Sequence, residues 1–96
     1  MYDHEQVVSV ATSIIVWQSA AQQLPLPDLR DMLATWQHTL AHSLDDFNAI
    51  YHDHGDHREC ADVIQQAIGE IARNATAAAI FTLGIAERAQ QAARQN

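Results

Sequence analysis

The strongest constraint on this chain lies in its C-terminal part. From His57 to Arg94 there is no proline, and Gly69 and Gly84 stand alone. Through that stretch Ala61, Ile64, Ile68, Ile71, Ala75, Ala78, Thr82, Ile85, Ala89 and Ala92 follow one another at alternating spacings of 3 and 4. That spacing returns each residue to one face of a helix, as in a coiled-coil seam. Ala77, Ala79, Ile80, Phe81 and Leu83 surround the seam, so the segment from Ala75 to Ala86 is apolar on every side and needs cover on more than one face. A continuous helix over this span would be about 57 Å long. A compact chain of 96 residues has a radius of gyration near ~12.5 Å and a diameter of roughly 32 Å. The helix therefore outreaches its own globule and leaves an uncovered stripe large enough to associate. The expectation is a homodimer in which two long helices pack together, antiparallel, through Ile64, Ile68, Ile71, Ala75, Ala78, Thr82 and Ile85. The competing arrangement breaks the helix at Arg73-Asn74 and gives four short helices in a monomeric bundle.

The rest of the chain supplies two further helices. Val7, Val10, Ile14, Trp17, Ala21 and Leu24 again alternate steps of 3 and 4, which predicts a helix over about 4–23, capped by Asp3. A strand is the competing reading of the β-branched residues there, and the apolar pattern that continues past Trp17 for two more turns favours the helix. Leu24-Pro25-Leu26-Pro27 interrupts the chain. A second helix is expected to start at Pro27 or Asp28 and end near Tyr51, with Leu29, Leu33, Trp36, Leu40, Leu44, Phe47 and Ile50 facing inward. Asp56-x-x-Glu59 has the form of a capping box opening the third helix. The fold class is therefore all-α: a single domain over 1–96, three helices, and a long C-terminal helix forming a dimeric helical bundle.

Composition limits function. Twelve acidic residues against five basic ones give −7, and every basic residue is Arg. Residues 1–62 carry net −8 and residues 63–96 net +1. Arg30, Arg58, Arg73, Arg88 and Arg94 are scattered singly, whereas phosphate neutralisation needs clustered cations, so direct nucleic-acid binding is not expected. The uncharged run Asn74–Ala86 is too short to span a bilayer. Cys60 is alone, and Met1 leads into Asp3 and Glu5 without a basic region, which together read as cytoplasmic.

Catalytic patterns are missing: there is no Gly-x-Ser-x-Gly elbow, no glycine-rich phosphate loop and no Lys. Six His all lie at or before His57. His38 and His42 have the four-residue spacing that lets two imidazoles meet one metal, but the apolar face of their helix turns them outward. The segment His52-Asp53-His54-Gly55-Asp56-His57 with Cys60 is the sharper metal candidate. Its groups have competing structural tasks, with Asp56 as a cap and Cys60 as a small core residue. No metal, no cofactor and no enzymatic activity is expected.

The order of parts resembles the TraM/QslA-type quorum-sensing antiactivators. The segments that carry the resemblance are Leu24-Pro25-Leu26-Pro27-Asp28-Leu29, the amphipathic helix after it, a short polar connection, and the small-residue run from Ala75 to Leu83-Gly84. The resemblance implies a small all-helical homodimer that binds a LuxR-type transcription activator and holds it away from DNA. Trp17, Trp36, Tyr51, Ile80 and Phe81 are the candidate anchors for such a partner, because large apolar groups dominate interface energetics. Two other functions share these features: a His-rich metal-binding helical protein, and a phage-type accessory protein that blocks a host protein.

Overall fold

The computed structural model describes the backbone of residues 4–53 and 61–95, and side-chain surroundings for 9–52 and 61–95. Among the described residues the chain is entirely helical: α1 (His4–Gln23), α2 (Leu26–Asp53) and α3 (Ala61–Gln95). Only Leu24 and Pro25 separate α1 from α2. Leu24 N–H still donates to the Ala20 carbonyl (2.9 Å), and Leu29 N–H to the Pro25 carbonyl (3.0 Å). Pro27 sits in the first turn of α2, where a missing N–H costs nothing. The Asp3 cap and the capping box at 56–59 lie outside the described residues.

α3 is continuous through Arg73 and Asn74, so the four-helix alternative does not occur. It sets the long dimension of the molecule, which measures 58 × 29 × 17 Å with a radius of gyration of 16.7 Å. That radius is well above the ~12.5 Å of a compact chain of this length. α2 lies antiparallel along α3, and α1 packs on both, pointing the same way as α3. The pairing of Ser43 with Asn74 and the packing of Leu29 with Ala77 and Phe81 set the direction of α2, and the pairings of Trp17 with Arg73 and of Ala21 with Gly84 and Arg88 set that of α1.

The core is small. Trp17, Ala21, Leu29, Ala77 and Phe81 are buried together, with Leu29 and Phe81 fully enclosed, and Ile14, Met32, Leu33, Trp36, Ile80 and Ile85 pack around them. The Trp17 and Trp36 rings meet edge to face at 5.2 Å, which joins α1 to α2. Two arginines of α3 hold α1. Arg88 Nη2 donates to the Ala21 carbonyl (3.0 Å), one of the carbonyls a helix end leaves without a partner. The Arg73 guanidinium stands 5.9 Å from the Trp17 ring centroid, a cation–π distance.

The structure corrects two details of the expected inner faces. Val10 is 45% exposed, because the core cluster begins one turn later, at Ile14. Leu44 is also exposed, and its neighbour Ser43 is buried instead. Ser43 Oγ donates to the Leu40 carbonyl (2.8 Å) and accepts from Asn74 Nδ2 (3.3 Å). This buried polar pair ties α2 to α3 at one height, and a lone buried amide of this kind is the usual device for fixing register between helices.

Candidate functional site

The helices leave two surfaces of opposite character. The first runs along α2. Asp28, Asp31, Thr35, His38, His42 and Asp45 succeed one another at steps of 3 and 4, all are exposed, and together they form one stripe down the outer side of the helix. The stripe is about 26 Å long. Asp46 borders it, with its carboxylate 3.6 Å from His42 Nε2. Thr35 returns its hydroxyl to the Asp31 carbonyl (3.0 Å), so the side chains reaching solvent from this face are carboxylates and imidazoles.

The second surface belongs to α1 and α3 and is almost free of charge. No charged residue occurs between Gln6 and Pro27. On α3 Ile68, Ala72, Ala75, Thr76, Ala79, Thr82 and Ala86 are all exposed on the outer face, with the exposed Leu83 at its edge beside α1. Among the described residues Ile15 and Leu83 are the most exposed large apolar side chains, at 65% and 61%. Between α1 and α3 an open groove of about 240 Å³ is lined by Gln18, Ala21 and Gln22 on one side and Ile80, Leu83, Gly84 and Glu87 on the other. Gly84 is what lets the two helices close at its base. A Cβ there would stand 3.0 Å from Ala21 Cβ and 3.4 Å from its carbonyl oxygen.

The residues expected at the dimer seam divide between two faces. Ala78 is buried, Ile85 packs on the core cluster, and Ile64 and Ile71 are half-buried. Ile68, Ala75 and Thr82 are exposed. The within-chain face of α3 runs instead through Ala67, Ile71, Asn74, Ala78, Phe81, Ile85 and Arg88. It therefore includes a buried amide and a partly buried guanidinium that a purely apolar pattern passes over.

The candidate anchors divide as well. Trp17 and Phe81 are buried, at 7% and 0% exposure, in the cluster that holds the helices together. Trp36 and Ile80 are half-buried. Tyr51 is exposed, stacked on Phe47 at 5.8 Å and edge-on to His52 at 5.9 Å.

His38 and His42 point outward, as their helix face requires. Residues 54–60, with His54, His57 and Cys60, lie outside the described residues. Among the described residues no group of three or more His, Cys, Asp or Glu side chains converges as a metal site would require, and no described helix is long and apolar enough to cross a membrane.

No protein-family model, curated protein or solved structure matches this chain.

Proposed function

We propose that this chain is a non-enzymatic, homodimeric helical binding protein that sequesters a transcriptional regulator, a LuxR-type activator in the manner of the TraM/QslA-type antiactivators. The observation that carries this reading is the segregation of charge. A carboxylate stripe faces outward on α2, while α1 and the outer face of α3 are nearly uncharged.

Each face suits one task. DNA-reading surfaces are basic because they neutralise phosphates, so exposed carboxylates at both ends of one stripe on α2, Asp28 and Asp31 at one and Asp45 and Asp46 at the other, are complementary to them and compete with DNA for the same groups. Charge of this kind steers encounter and selects the partner more than it holds it. The uncharged side supports association between copies. A compact monomer of 10.7 kDa exposes about 5,500 Å². This chain exposes 7176 Å², and the surplus exceeds the ~800 Å² per partner that a standard interface removes.

Titration of the protein into a fluorescent complex of a LuxR-type activator with its operator tests the proposal. The expected result is release of the DNA, weakening as salt rises. Replacing Asp28, Asp31, Asp45 and Asp46 by Asn is expected to weaken release on the order of tenfold at low salt, with helical content unchanged because all four side chains are exposed. DNA that stays bound at every concentration would overturn the regulator reading.

A further inference from the structure

We infer that His38 and His42 form an exchangeable binding site for a divalent transition-metal ion of the zinc class on the outer face of α2. The site needs neither the regulator nor the second copy proposed above.

His38 and His42 lie one turn apart on an unbroken helix, and both are exposed. Side chains at this spacing are neighbours, with Cβ atoms about 5–6 Å apart. Imidazole nitrogens bind zinc at about 2.0–2.1 Å, so two of them on one tetrahedral ion stand about 3.4 Å apart. A lean of about 1 Å by each ring toward the other closes that difference, and solvent-facing rings are free to choose such rotamers.

Neither ring is committed to holding the fold. Among the described residues His38 has no hydrogen bond or ion pair. His42 Nε2 stands 3.6 Å from the Asp46 carboxylate, too far for a hydrogen bond, so this nitrogen is uncommitted and has a negative charge beside it. The hydroxyls of Thr35 and Thr39 donate to the Asp31 and Thr35 carbonyls at 3.0 and 2.9 Å, which leaves the imidazoles without a competing partner there.

Local charge favours a cation. From Asp31 to Asp53 the chain carries four Asp and no Arg or Lys, and a surface of one sign concentrates ions of the other. Ligand type then sets the class. Imidazole suits zinc, nickel and copper(II), whereas magnesium and calcium take oxygen ligands. A resident metal centre uses three or four protein ligands, and no such group converges among the described residues. Two imidazoles leave the other positions to water, so the ion exchanges with its supply. While bound, it ties one turn of α2 to the next and sets positive charge between Asp31 and Asp45 on the stripe.

Calorimetric titration of the full chain with zinc chloride, beside thermal unfolding followed by circular dichroism, tests the site. One zinc ion per chain is expected here, with an unfolding midpoint that zinc raises and magnesium leaves unmoved. His38→Asn and His42→Asn are each expected to abolish this binding event and the rise. Combining His42→Asn with Thr39→His keeps two imidazoles but sets them at adjacent positions, which do not face each other on a helix. That variant is expected to bind no better than His42→Asn alone. All three positions are exposed, so helical content is expected to stay unchanged. His52, His54, His57 and Cys60 are intact in every variant, so zinc held by them persists throughout and is told apart. No zinc binding up to several hundred micromolar, or equal binding by the unaltered chain and the His38→Asn, His42→Asn double variant, would overturn the inference.

Discussion

Phe81→Ala is expected to bring this protein close to unfolding at room temperature. Phe81 is fully enclosed at the centre of the one described cluster, among Trp17, Leu29 and Ala77. Truncating a buried phenylalanine costs about 3–5 kcal/mol, from lost transfer energy and the cavity left behind. A domain of this length has total stability on the order of 5–14 kcal/mol. With so few enclosed side chains this one sits toward the lower figure, so the substitution removes most of the margin. Urea unfolding followed by circular dichroism measures the loss, and Leu83→Ala is the control. Leu83 is 61% exposed, so in dilute solution its truncation is expected to change stability by less than about 0.5 kcal/mol. Equal losses for the two variants would contradict the packing described.

Gly84→Leu is expected to part α1 from α3. A single Cβ at Gly84 already stands 3.0 Å from Ala21 Cβ, and the neighbouring atoms at 3.4 and 3.7 Å are backbone, which cannot rotate away. Gly84→Ala sets this contact against a gain in helix propensity of about 1 kcal/mol and is expected to come out near neutral. Leucine adds three more carbons directed at the α1 backbone. Overpacking of that kind costs about 1–3 kcal/mol, and moving α1 also breaks the Arg88 bond to the Ala21 carbonyl and withdraws the Trp17 ring. Gly69 supplies the contrast. Nothing lies within 4 Å of a Cβ there, so Gly69→Ala is expected to gain about 0.5–1 kcal/mol. Near-ultraviolet dichroism of the two tryptophans, read beside unfolding midpoints, separates the cases. A Gly84→Leu protein with native tryptophan signal and stability would contradict the close approach of α1.

Much of the fold was legible because hydrophobic spacing and proline placement are local signals. The step pattern from Val7 to Leu24 marks α1, and Leu24-Pro25 makes the turn, although α2 starts at Leu26 rather than at Pro27 or Asp28. The continuity of α3 follows from the lack of a strong breaker, since Asn74 alone does not stop a helix whose two faces are both apolar.

What was not legible is how the apolar surface of α3 is shared. Ala, Ile and Leu recur on nearly every side between Ala75 and Ala86, so two seams, offset by a few residues, fit equally well. The choice between them is made by long-range contacts: Asn74 with Ser43, Arg88 with the α1 carbonyl, and Arg73 over Trp17. All three are polar or cationic residues on a buried or half-buried face, which a pattern of apolar spacing reads as interruptions. The same ambiguity placed Trp17 and Phe81 among candidate anchors, because nothing in a sequence says whether a large side chain fills its own core or a partner's pocket. The acidic stripe was visible. The outward turn of His38 and His42 follows from the helix face, and the expected single helix from Pro27 or Asp28 to Tyr51 already places Asp28, Asp31 and Asp45 in line with them.

Two copies of this chain are proposed to pair through the uncharged side of α1 and α3. The most direct test is the solution mass of the full chain measured by light scattering or sedimentation across a dilution series. The mass is predicted to rise with concentration from 10.7 kDa toward twice that value and to level off there, and a Leu83→Arg variant is predicted to keep the mass of one chain with its helical content intact. A single-chain mass for the unaltered protein at every concentration, up to several hundred micromolar, would contradict it.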